Sequence, residues 1–132
     1  MTTPETKLNP GDTMKDGTIF AGISPDVNEP MYTTPADAPL CMTFNMAKEY
    51  ASQLDTYGHK DWRVPTKNEL NALFNERAAI GGFNVSGSYP AGLYWSSSQI
   101  FKWFGWYQRF RGAWSRDFNP KGYHSSVRCV RG

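Results

Sequence analysis

The apolar positions change period along the chain, and the changes mark out its elements. Between Asp16-Gly17 and Ser24-Pro25, Ile19, Ala21 and Ile23 alternate with Thr18, Phe20 and Gly22, which predicts a short strand closed off by turn residues. Met31 and Tyr32, inside the Pro-rich stretch EPMYTTPADAP, predict a second short strand. The period then lengthens. Phe44, Ala47, Tyr50, Ala51 and Leu54 share one helical face, with Thr43 placed to cap its start and Gly58 to stop it. In DWRVPTKNELNALFNERAAIGG, Trp62-Arg63-Val64 is a short extended lead-in, and Thr66 and Glu69 have capping-box spacing. Leu70, Leu73, Phe74 and Arg77 continue that helix until Gly81-Gly82.

Past the loop GGFNVSGSYPAG the period of two returns. Leu93–Ser97, Lys102–Arg111 and Ser126–Arg131 read as strands separated by Gly, Asn and Pro. A strand first, helices next and strands last define the α+β class. Trp62, Leu70, Leu73, Phe74, Trp95 and Val127 are expected in the core. Residues 1–11 read as a flexible leader and 12–132 as one domain, which a length of 132 residues supports.

Composition narrows the function classes. Hydrophobic residues make up 39% and charged residues 20%, with twelve Gly and nine Pro, which suits a loop-rich globular domain. A net charge of +2 disfavours a nucleic-acid partner on bulk electrostatics. No apolar run approaches the roughly 20 residues that span a bilayer, so membrane insertion is not expected. The start MTTPETKLNPGD is polar and lacks an apolar signal core, so no Sec signal is expected in this chain. The two cysteines, Cys41 and Cys129, and the two histidines, His59 and His124, show no metal-ligand spacing. Ser96, Ser97 and Ser98 lack a G-x-S-x-G elbow and are read as turn or hydrogen-bonding residues. Arg63 and Arg128, set among apolar residues, are read as paired structural arginines. The expectation is a protein that is not an enzyme, with no cofactor and no metal.

One segment stands apart. Tyr94–Phe118 holds ten of the twenty aromatic residues, with four Lys or Arg between them. As a strand it offers two faces. Phe104, Trp106, Gln108 and Phe110 form one, and Trp103, Gly105, Tyr107, Arg109 and Arg111 the other. A buried face would not choose Arg109 and Arg111, so the odd-numbered set is assigned to solvent. Trp, Tyr and Arg are also the residues richest at binding hot spots. Phe101, Trp103, Tyr107, Arg109, Arg111, Trp114, Arg116 and Phe118 are therefore the candidate ligand-binding residues, with Lys102 at the rim. A one-residue register slip would exchange the faces. A mostly core role and an oligomer contact remain alternatives.

DWRVPTKNEL, AAIGGF, YWSSS, WYQRFRG and the terminal SVRCVR, taken as an ordered set, resemble the Lcl C-terminal domain family of bacterial and phage proteins. The resemblance runs from about Gly17 to Arg131. It implies a C-type-lectin-like fold in which two helices flank a small antiparallel sheet and the N- and C-terminal strands pair. The chain is also similar to the variable proteins of diversity-generating retroelements, which keep a frame and diversify side chains near the C-terminus. That likeness implies a display domain binding a protein or glycan, on a phage tail or a cell surface. A phage tail or surface-fibre component, using the same face for assembly, is the competing reading. The lectin-like fold also makes a Cys41–Cys129 bridge conceivable, against two free thiols. NEP at 28–30 and WSRD at 114–117 depart from calcium-lectin motifs, so no calcium site is carried over. The cysteine motif of the related formylglycine-generating enzymes is missing too.

Overall fold

The computed structural model describes residues 8–85, 92–110 and 115–132, the side chains of Ser115 and Arg116 excepted. In chain order the elements are β1 (Ile19–Ile23), β2 (Pro30–Thr33), α1 (Phe44–Gln53), α2 (Lys67–Asn75), α3 (Arg77–Ile80), β3 (Leu93–Ile100), β4 (Phe104–Arg109), β5 (Ser115–Pro120) and β6 (Val130–Arg131). The α+β class holds, built on two three-stranded antiparallel sheets, β1-β2-β6 and β3-β4-β5. The expected single sheet with paired terminal strands needs correction. β2 stands between β1 and β6, with Thr33 opposite both Ile19 and Val130. Met31 and Thr33 are fully buried, as a central strand requires, whereas Ile23 of β1 is half exposed. The other edge of β1 is already taken, because Phe20 donates its N–H to the Asp12 carbonyl and accepts from Gly11.

Both helices begin where capping chemistry places them. The Thr43 hydroxyl accepts from Met46 N–H, and Thr66 and Glu69 form the reciprocal capping box. α1 stops at Leu54, short of Gly58, and the second helical period breaks at Glu76 into α2 and the single turn of α3. Glu69 does more than cap. Its carboxylate takes both terminal nitrogens of Arg63, at 2.6 and 2.9 Å, and the Ser24 hydroxyl at 2.6 Å. Burial alone would raise this carboxyl, but Arg63, Ser24 and the Thr66 N–H together hold it at about 2.

The core divides into two clusters. Met31, Leu70, Leu73, Phe74, Tyr94 and Phe110 belong to the first, and Phe44, Trp62, Trp95 and Val127 to the second. All six residues expected in the frame are buried. The segment Ser125–Arg131 stitches the two sheets together. Ser126 donates to the Leu93 carbonyl and accepts from Trp95 N–H on one side, while Val130 exchanges hydrogen bonds with Arg63 on the other.

Between those ties sits Arg128, fully buried. Nε donates to Asp37 Oδ1, Nη1 to the Thr34 carbonyl and Nη2 to the Gly81 carbonyl, each at 3.0 Å. Its guanidinium also lies 3.9 Å from the centre of the Phe83 ring. The other Asp37 oxygen accepts from the Tyr94 hydroxyl. Gly82 is required here on two counts. Its φ is +79°, and a Cβ would lie 2.2 Å from the Pro35 carbonyl oxygen and 2.7 Å from Arg128 Nη2.

Two outcomes are expected. Arg128→Met leaves the Asp37 carboxylate uncompensated in the interior and should cost about 3–5 kcal/mol in urea denaturation. Glu69 has a folded pKa below the ordinary carboxylate value, so its contribution is complete above about pH 4.5 and fades as pH falls towards 2. Glu69→Gln should lose stability at pH 7 and show a flatter decline over that window; a parallel decline would contradict the assignment.

Candidate functional site

β4 is the middle strand of the second sheet, and what covers it decides which aromatics reach solvent. Opposite its odd-numbered side lies α1. The Phe44 ring approaches so closely that a Cβ on Gly105 would sit 2.3 Å from it, and 3.1 Å from the Trp95 ring. Gly105 is therefore the gap through which helix meets sheet. Tyr107, on the same side, is half-buried against the second core cluster. The even-numbered side is covered by α2 most closely at its far end. There Gln108 Nε2 donates to Asn71 Oδ1 at 3.1 Å, and Phe110 packs edge-on against Phe74. Nearer the β3–β4 turn that cover thins, and Phe104 and Trp106 are half-buried.

Phe118 of β5 stands opposite Trp106. Cross-strand partners share a face, and the ring contacts agree: Phe118 meets Trp106 at 5.6 Å and Phe104 at 5.5 Å, both edge-on. Lys67, in the first turn of α2, holds its ammonium 4.7 Å from the centre of the Trp106 ring. Phe118 thus joins the set assigned inward from the sequence, and Trp106 is only half-buried instead of core. Gln108 and Phe110 are buried as expected.

Among the described residues, the β3–β4 turn carries the most exposed rings. Phe101 is 80% and Trp103 66% exposed, and Phe118 reaches 40%. Lys102 lies between the first two, with its ammonium 5.0 Å from the Trp103 ring centre. The Trp103 carbonyl accepts from Lys121 N–H at 2.9 Å, which fastens this turn to the turn after β5. Phe101 itself has φ +55°, the left-handed region that Gly and Asn adopt easily and a bulky side chain does not.

The candidate residues therefore divide. Phe101, Trp103 and Phe118 gather on the hairpin end. Tyr107 and Arg109 lie half-buried further along β4. Arg111 and Trp114 lie outside the described residues, and of Arg116 only the backbone pairing with Gln108 is described. Alternation along β4 does not separate a dry face from a wet one, because helices approach both sides of the strand. Sequence reasoning missed Phe104, Trp106 and Lys67 as members of this surface. Lys67 is 39 residues from Trp106 in the chain, and no local pattern signals their contact.

The serines of β3 work as hydrogen-bonding residues. The Ser96 hydroxyl donates to the Trp106 carbonyl at 2.8 Å, and the Ser98 hydroxyl accepts from Lys67 N–H at 3.0 Å. They stabilise an irregular step where the β3–β4 register shifts between Trp95 and Gln99. Arg63 and Arg128 are both paired. Cys41 and Cys129 are free thiols. A cavity of about 200 Å³ opens beside Cys129, Asp37, Tyr50 and Tyr57, with no residue of the second sheet in its lining. Burial pushes the Cys129 thiol up to about 12, which leaves it unreactive near neutral pH. Among the described residues no three His, Cys, Asp or Glu converge as metal ligands, and no helix is long and apolar enough to cross a membrane.

Together these features define an α+β domain that carries an aromatic and basic cluster on one end of its second sheet. The chain belongs to the Lcl C-terminal domain family, which it matches over residues 24–131. Comparison with curated proteins returned no match.

Because the Phe101 backbone favours Gly or Asn, Phe101→Asn should leave the unfolding free energy unchanged or raise it by about 1 kcal/mol in urea denaturation. A clear loss of stability would show that the ring supports the fold.

Proposed function

We propose that the chain is a non-catalytic ligand-binding and display domain of C-type-lectin-like fold. In this reading it is a variable protein of the diversity-generating-retroelement kind, and its C-terminal aromatic and basic surface holds a protein or glycan. The observation that carries the proposal is the exposure of Phe101, Trp103 and Phe118 together on the hairpin end. Large rings left in water at one end of a sheet mark an interaction surface. Trp with flanking cations is the composition richest in binding energy.

The mechanism is burial of aromatic area plus hydrogen bonds from basic side chains, on a frame that does not rearrange. Rigidity is built in below the surface. Lys121 N–H ties the two turns, Ser96 and Ser98 lock β3 against β4 and α2, and Gly105 lets α1 close on the sheet. A preorganised surface gives up little entropy on binding. Chemistry is not part of the proposal. His59 is engaged with Asp16 at 2.7 Å, and Ser96 and Ser98 spend their hydroxyls on the backbone.

The test is selection of peptide ligands from a displayed library on the immobilised protein, followed by titration against Trp103→Ser/Phe118→Ser. Binding should weaken at least about 10-fold while the melting temperature holds. Ligands that bind parent and variant equally would contradict the site. A parent that yields no ligand and sediments as an oligomer at every concentration would favour an assembly role for this surface.

A further inference from the structure

The net charge of +2 conceals a strong division. Residues 77–132 contain eight Lys or Arg and a single acid, Asp117, whereas residues 1–76 contain six Lys or Arg and eleven acids. The fold partly neutralises this where the halves meet, since Arg128 pairs with Asp37 and Arg131 with Asp61. At the hairpin end it does not. Lys102 and Lys121 make no ion pair among the described residues; Lys121 Nζ donates to the amide oxygen of Gln99. No acid occurs from Ala78 to Arg116 or from Phe118 to Gly132.

On this cationic end the exposed rings sit at the β3–β4 turn. Phe101 and Trp103 flank the exposed Lys102, and Tyr123, 46% exposed, lies in the neighbouring turn that Lys121 fastens to Trp103. The Phe101 backbone is held in a conformation that suits Gly or Asn, so the ring is retained at a local cost. We propose that this turn is an interfacial anchor, docking the domain reversibly on an anionic lipid surface with Phe101 and Trp103 among the headgroups and Lys102 and Lys121 facing phosphate.

Several observations converge on a lipid surface. Trp and Tyr favour the zone between headgroup and hydrocarbon, where one end of the ring is dry and the other wet. A lysine between two such rings can extend its ammonium back to the headgroups while its stem stays apolar. Two exposed rings flanking a lysine can enter a soft interface, whereas a rigid partner would have to supply a matching cavity. Lys102 and Lys121 give this end the charge that an anionic surface attracts. With one small patch, docking is weak and reversible, as for a single lipid anchor. The inference does not depend on the proposed protein or glycan ligand, although the two share Phe101 and Trp103.

The experiment is co-sedimentation of the full chain with vesicles of phosphatidylcholine, alone or with phosphatidylglycerol, at low and physiological salt. Trp emission is followed with and without bromine on the acyl chains. Partition should be at least about 10-fold stronger on the anionic vesicles and should fall as salt rises. Emission should shift to the blue and be quenched by the brominated chains. Phe101→Asn/Trp103→Ser should lose both the partition and the quenching with its melting temperature intact, and Lys102→Gln/Lys121→Gln should lose the preference for anionic lipid. No partition at low salt would overturn the inference. Equal partition of the aromatic variant would also overturn it, because attraction would then rest on charge alone. If the parent ignores vesicles while the library-selected peptides still bind through Trp103, the lipid inference fails and the display function stands.

Discussion

The guanidinium of Arg128 is the point on which the rest of the structure depends. A fully buried cation is tolerable only if its donors are spent and its charge is met. Here one nitrogen meets Asp37 and the other two meet the carbonyls of Thr34 and Gly81. Those partners come from the segment after β2 and the segment after α3. Through Asp37 the network also reaches Tyr94 of β3. One side chain therefore fixes the relative positions of both sheets and the helical layer, at the place where Ser125–Arg131 runs between them. Arg63 and Glu69 do the same on a smaller scale, tying the lead-in of α2 to the turn at Ser24.

With the sheets pinned from that side, the second sheet has a protected edge and an exposed end. β3 is held to Ser126, β4 is approached by α1 through Gly105 and by α2 at Gln108, and the β3–β4 turn leaves its rings exposed. That geometry explains how a strand with so many aromatics can serve both purposes. Phe110 and Trp95 complete the core, while Phe101 and Trp103 meet water. Exposure here does not follow the face of the strand, since Trp106 and Tyr107 are both half-buried.

Much of this was legible in the sequence because it rests on local chemistry. Thr43 and Thr66 announce their helices, Gly81-Gly82 closes the second helical segment, and the frame residues obey helical or strand periods. Paired roles for Arg63 and Arg128 could be read from their apolar surroundings, though not who the partners are: Asp37 is 91 residues from Arg128. The order of strands was not legible. Nothing near β1 says that Gly11–Thr13 occupies one of its edges, so β6 was expected beside β1 and pairs with β2 instead. The aromatic surface was half legible. Its residue types pointed to binding, but alternation does not say that Tyr107 is half-buried where Gly105 admits a helix, or that Trp106 is half-buried on the other side. A glycine needed for close approach looks the same in sequence as one needed for a turn.

The central claim is a division of labour: Arg128 and the two clusters hold the frame, and the hairpin end is left free to bind. Hydroxyl-radical footprinting read by mass spectrometry tests this most directly, since it reports the solvent exposure of each aromatic side chain in the intact protein. Phe101, Trp103 and Phe118 should be oxidised rapidly, and Trp62, Trp95 and Phe110 should be protected, at every protein concentration. Protection of Phe101 and Trp103 to the level of Trp95 would contradict the claim, because it would mean that the hairpin end is already buried.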